Sequence, residues 1–302
     1  MNNHLKKLLS ISKDALVRWI KKDPFRESAV IAYYAIFSLP GMLVVVMTLA
    51  GYFFEQDALN HQLADQITST MGHDTAEQIQ SILISASSSG NSFLASIIGI
   101  ITIIIGATGV FVEFQVSLNK IWEVKIDDSN SGLWDIIRVR LFSFGLIISV
   151  AFILIVSLVI SAIMTALGNW LSGNFTDSFV VFLQAANFIL SFMILAVLFA
   201  MMFKFIPDAK IKWKHVWIGS FVTAFLFEIG KFALSLYFGK INPGTGYGAA
   251  GSVILIMLWV SYSSMIVFYG AEFTRAYADM YTGQVLPTEI AKVAPAPKAI
   301  KT

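Results

Sequence analysis

The sequence predicts an all-α polytopic membrane protein, a six-transmembrane-helix bundle, and three observations predict it. Of 302 residues, 57% are hydrophobic and only 13% are charged, about half the charge of an ordinary soluble domain. Several apolar runs of roughly twenty residues are present, each long enough to cross a ~30 Å hydrocarbon layer. Lysine and arginine are sorted between alternate connections, as membrane insertion requires.

Residues 1–27 form a basic segment whose residues 4–22 read as an amphipathic helix. Leu5, Leu8, Leu9, Leu16, Trp19 and Ile20 share one face, with Lys6, Lys7, Lys13 and Lys21 mostly opposite. Such a helix lies in the membrane interface, drawn to anionic lipid. Asp23-Pro24 is expected to end it. No compact apolar block with a small-residue cleavage site follows the basic residues, so the first span is expected to act as the insertion signal.

The first span covers about 29–54 and holds Pro40-Gly41, where a kink or local unwinding is expected, as in the discontinuous helices of transporter sites. Residues 55–92 are the longest polar interruption. Leu59, Leu63, Ile67 and Met71 repeat every four residues, Gly72 stops the pattern, and Asp74-Thr75-Ala76-Glu77 resembles a capping box. The segment reads as a pair of amphipathic helices on the outer face. Its histidines, His61 and His73, lack the spacing that would put two ligands on one helical face, so a solvated segment is favoured over a metal site.

The second span, about 93–119, is rich in small residues (Gly99, Gly106, Ala107, Gly109) that permit close helix approach. Near its inner end lie Glu113, Gln115 and Asn119, followed by the interfacial Trp122. Glu113 is expected to be bonded inside the bundle or to line a cytoplasmic vestibule. The third span covers about 141–167 and the fourth about 178–203. A basic connection (204–217) leads to the fifth span, and the sixth follows the glycine-rich 241–251. Residues 28–280 therefore form the transmembrane domain. Residues 281–302, with Pro287, Pro295 and Pro297, read as a disordered tail.

With six spans, nineteen Lys and Arg fall on one side of the membrane and only Lys240 on the other, while Lys231 lies inside a span. The positive-inside rule then places both termini in the cytoplasm and 55–92 outside. There is no cysteine, which excludes disulfides and thiolate chemistry.

Functional signals are few. GYGAAG (246–251) matches a dinucleotide fingerprint in letters only, because an apolar span rather than a strand precedes it. It reads as a tight turn between packed helices, and no phosphate-binding GxxxxGK[ST] loop occurs. The four histidines are dispersed, and the cytoplasmic acids Glu123, Asp127, Asp128, Asp135 and Asp208 are not spaced as metal ligands. No enzyme, no cofactor, no metal site and no nucleic-acid partner is expected. Glu228 and Lys231, three residues apart within the fifth span, are close enough to pair. Ionisable groups in a span face a partner or a cavity, so the pair is either an internal ion pair or a contact for a charged headgroup. Glu272 and Arg275 share this spacing and are expected to pair with each other.

AYYAIFSLPG (32–41), SLNKIWEV (117–124) and YGAAGSVILIMLWVSYSSMIVFYGAEF (247–273) resemble the YihY/BrkB family of bacterial inner-membrane proteins, over about residues 20–280. The resemblance implies six spans with both termini inside. Members have been labelled ribonuclease BN, but the residues supply no nuclease site. They have also been tied to envelope integrity and lipid export. The expected activity is binding or translocation of an amphipathic lipid, a phospholipid or a lipid A-like molecule, through a groove in the bundle. The residues expected to line it are Pro40, Gly41, Glu113, Asn119, Glu228, Lys231, Tyr247, Gly248, Trp259, Tyr262 and Glu272. The alternative is a scaffold that docks an envelope protein through 55–92. Small-residue faces permit homo-oligomers without fixing their number.

Overall fold

The computed structural model of the chain describes residues 2–51, 93–126, 177–241, 251–283, 285–288 and 291–294. The expected 55–92 pair of helices, the third span and residues 242–250 lie outside the described residues. Those that are described are mostly helical, and parts of three helices are long and apolar enough to cross a membrane: Phe188–Phe205, Trp213–Phe238 and Val253–Thr282.

The first helix, α1 (Asn2–Lys21), is followed after two residues by α2 (Pro24–Gly51). Asp23 adopts a positive φ of 52°, a conformation a short polar side chain tolerates. Its carbonyl accepts the amides of Arg26 and Glu27 at 3.1 and 3.2 Å, starting α2. Pro24 therefore opens the second helix, where a missing amide hydrogen costs nothing. α2 then continues through Pro40-Gly41 as one helix. The expected unwinding does not occur, because proline removes a single donor from a ladder that continues on both sides.

Next come α3 (Phe93–Trp122) and a short strand, β1 (Val124–Ile126). Glu123, at φ 53°, turns the chain between them. The remaining helices are α4 (Asp177–Phe205), α5 (Trp213–Ile241) and α6 (Gly251–Thr282). α6 is the hub: α1, α2, α3 and α5 all pack on it, and α4 packs on α5. One core cluster runs through the bundle, including Ile31, Leu118, Phe199, Phe203, Val216 and Phe268.

Small residues set how closely α5 and α6 approach. Thr223 donates to the Gly219 carbonyl at 2.7 Å, and Thr274 donates likewise to Gly270 at 2.7 Å. Each threonine side chain lies over the glycine of the other helix, with no room for a Cβ at Gly219 or Gly270. This is the small-residue packing that lets membrane helices gain dispersion contacts in place of a hydrophobic driving force. Gly109 accommodates the Tyr34 ring in the same way where α3 meets α2.

α1 buries a narrower face than the leucine stripe. Ile11 and Ala15 pack against Phe273 and Ala276, while Leu8, Leu9, Leu16 and Ile20 stay exposed. Ser12 and the Tyr269 hydroxyl lie 2.6 Å apart, and Trp19 Nε1 donates to the Met265 carbonyl at 3.1 Å. The helix is thus pinned across α6 with its leucines turned outward.

The expectation of a disordered tail is corrected over part of its length. β2 (Ala291–Val293) pairs antiparallel with β1, Val124 opposite Val293. Pro287 bridges to Ala209, Lys210 N donates to Leu286 O at 2.8 Å, and Thr288 N donates to Asp208 O at 3.0 Å. Tail backbone groups find partners in two connections that the sequence, read locally, leaves unpaired.

Candidate functional site: a charged pair in α5 and a polar end of the bundle

The expected site residues separate into two groups. Along α5, Lys231 Nζ and Glu228 Oε2 lie 2.7 Å apart, with 29% and 21% of their side chains exposed. The pairing expected from i, i+3 spacing is therefore present. Phe225, Ile229 and Phe232 around it are exposed, so the charges sit on the outward part of a membrane-length helix. Gly230 on the same turn is covered by Ile266 and Tyr262 of α6, and Trp259 stands edge-on to Phe227 at 6.1 Å. Tyr262 and Trp259 therefore back this stretch of α5. Tyr247 and Gly248 lie outside the described residues, as do the surroundings of Pro40 and Gly41.

Glu272, Asn119 and Glu113 belong instead to the end of the bundle where α1, the α3 terminus and the last turns of α6 meet. Glu272 is completely buried. Lys22 Nζ lies 2.7 Å from its Oε1, so the two meet as an ion pair. The expected Glu272–Arg275 pair is corrected: Arg275 turns to Glu123 at 2.7 Å and Asp279 at 3.7 Å, and donates to the Ile121 carbonyl. One helical turn permits a pair, but here each group finds a partner on another element.

Lys22 also donates to the Ile121 carbonyl at 3.0 Å. Two cations thus close the α3 terminus, where unsatisfied carbonyls and the helix dipole favour positive charge. Burial pulls the Lys22 ammonium below its ordinary range, partly offset by the Glu272 charge. On the far side of Lys22, Glu27 accepts from Ser117 at 2.9 Å and from Lys120 at 2.8 Å. A cavity of about 10 Å³ lies between the Lys22–Glu272 and Lys120–Glu27 pairs, room for about one water.

Asn119 forms a two-way clasp with Asp208. Its Nδ2 donates to Asp208 Oδ2 at 2.7 Å and its Oδ1 accepts the Asp208 amide at 2.8 Å. Gln115 adds a 3.2 Å bond to the same oxygen. Burial raises the Asp208 carboxyl above its ordinary range, against the lowering effect of Asn119 and Gln115. Asn119 therefore holds the α4–α5 connection. Glu113 is half-buried and makes no hydrogen bond or ion pair among the described residues, so the internal bond expected for it is not found there.

An open cleft of about 480 Å³ lies beside this assembly, lined by Arg18, Lys21, Lys22, Glu123, Arg275, Asp279 and Gly283. The sequence explains the lysines by topology and Arg275 by its spacing from Glu272. The convergence of a helix at residue 20 with one at residue 275 carries no local signal.

The relatives are membrane proteins. A UPF0761 membrane protein of Teredinibacter turnerae is 25% identical over 278 residues, 90% of this chain and 61% of its own length. Others from Pseudoalteromonas atlantica and Alteromonas mediterranea are 24% and 25% identical, over 81% and 88% of this chain and 78% and 87% of theirs. The chain thus spans about three fifths of the Teredinibacter relative. No solved structure matches. The family model described as virulence factor BrkB matches residues 15–292, nearly the whole chain, and the protein belongs to that family.

Proposed function

We propose that the protein binds an amphipathic lipid, a phospholipid or lipid A-like molecule, in the inner membrane and passes it along a groove beside α5. The proposal takes the six-span topology with both termini in the cytoplasm. The observation that carries it is the Glu228–Lys231 pair, partly exposed among outward aromatic side chains on a span-length helix. Charge in such a position is costly, and it is characteristic of substrate pathways. A zwitterionic or anionic headgroup exchanges with either member of the pair while its chains lie against Phe225 and Phe232. Tyr262 and Trp259 back the pair from α6, so headgroup contact falls on α5.

Native mass spectrometry of the purified protein against a Glu228→Ala/Lys231→Ala variant tests this. A defined lipid retained by the wild type and lost from the folded variant is the expected result. Equal, nonselective retention by both reduces the pair to a structural role.

A further inference from the structure

We propose that the cleft between the end of α1 and the last turns of α6 is a binding site for a phosphate group, presented either by a lipid headgroup or by a soluble phosphate ester. The site is separate from the α5 pair and does not depend on the reading given to that pair.

Four cations line the cleft, Arg18, Lys21, Lys22 and Arg275, against two carboxylates, Glu123 and Asp279. Two carboxylates behind the lining offset part of this charge, Asp14 facing Arg18 and Glu272 facing Lys22, which leaves Lys21 as the cation with no carboxylate partner among the described residues. The existing pairs divide these cations into two classes. Lys22 is committed inward to buried Glu272, and Arg275 is mostly buried and held by Glu123 and the Ile121 carbonyl. Arg18 is 30% exposed and shares Asp279 at 2.6 Å and Asp14 at 2.7 Å. Lys21 is exposed and has no ion pair or hydrogen bond among the described residues.

Arg18 and Lys21 are therefore the groups a phosphate engages directly. A guanidinium offers a planar fork to two phosphate oxygens and an ammonium supplies a point charge. Arg275 and Lys22, each paired with a carboxylate, wall the cleft behind them. Asp279 is the internal competitor, since its carboxylate holds Arg18 and lies 3.7 Å from Arg275.

The cleft volume, about 480 Å³, lies within the range of small-molecule sites. Its position also fits a membrane-borne phosphate. α1 crosses α6 with its leucines exposed, and Arg275 and Asp279 belong to the final turns of the Val253–Thr282 stretch. An amphipathic helix in this setting lies at headgroup depth.

The test uses the full chain, lipid-free in detergent and separately in nanodiscs containing phosphatidate or only phosphatidylcholine. Pyrophosphate is the soluble probe. Two variants with opposite expected signs are compared with the wild type. Lys21→Glu reverses an exposed charge that has no ion pair or hydrogen bond among the described residues, and is expected to weaken binding about tenfold or more, a change of about 1.4 kcal/mol. Asp279→Asn removes the competitor and is expected to tighten binding. A variant damaged in folding only weakens, so tightening separates the site from instability.

Selective retention of phosphatidate without pyrophosphate binding assigns the phosphate to a lipid headgroup. Pyrophosphate binding by the lipid-free protein, with both variants behaving as expected, assigns it to a soluble ester. The proposal is overturned if neither probe binds, or if Lys21→Glu and Asp279→Asn both leave affinity unchanged.

Discussion

Glu272 shows how strongly one residue depends on its partner. It is fully buried and Lys22 is its ion-pair partner. Replacing Lys22 by Met leaves a carboxylate stranded, and is expected to cost roughly 3–5 kcal/mol. Lys22→Met/Glu272→Met removes both charges and is expected to recover most of that loss, because no ion remains to be desolvated. Thermal unfolding in detergent measures both variants, and an equal loss in the two would rule out the charge argument. Two carboxylates in the connections bring a pH dependence of opposite sign. The Arg275 hydrogen bond holds Glu123 below its ordinary range, against the raising effect of burial. Its contribution is therefore full above the ordinary glutamate value and is lost as pH falls through the depressed one. Asp208 is raised by burial, so its contribution is full below the ordinary aspartate value and is lost as pH rises through the raised one. Melting temperatures from about pH 3 to 7 should lose their acid limb in Glu123→Gln and their upper limb in Asp208→Asn.

Among the elements, the α5–α6 contact is decided by two glycines and two threonines. A methyl group at Gly219 meets Thr274, whose Cβ by itself lies 2.8 Å from it, so Gly219→Ala is expected to destabilise by about 1–3 kcal/mol, and Gly219→Ala/Thr274→Gly to restore part of it. A compensating double-mutant cycle in unfolding measurements checks this. The β1–β2 pairing is a second element-scale device. Ala294 N donates to the Glu123 carbonyl at 2.7 Å, and Ala294→Pro removes that donor. Limited proteolysis should then cut within 285–294 faster than in the wild type. An unchanged cleavage rate would mean that the strand contributes little to holding the tail.

For the whole molecule, the charge distribution makes a prediction about topology. The chain has no cysteine, so single cysteines can be introduced without background. With six spans, cysteines at positions 6 and 298 should react with an impermeant maleimide only after the inner membrane is opened, and one at position 61 should react in intact spheroplasts. Labelling of all three from outside would overturn the orientation. The same test bears on the cleft, since α1 and the last turns of α6 then lie at the cytoplasmic surface.

The class of molecule was legible in composition alone, because a bilayer selects for apolar runs whatever their mutual arrangement. Element boundaries followed from the same local chemistry: Asp23-Pro24 separated α1 from α2, and Glu228 and Lys231 were already neighbours by helical spacing. The family was legible in three short stretches. Partner choice at the polar end was not. Glu272 and Arg275 looked like a pair until Lys22 and Glu123 arrived from other elements, and Asn119 looked like a groove residue until Asp208 closed on it. The tail looked disordered because its backbone partners come from residues 123–126 and 208–210, far away in the sequence. The sequence by itself determined what each segment must bury, a property of its own side chains. Only the tertiary structure decided which charges meet, because that depends on groups hundreds of residues apart reaching the same few ångströms.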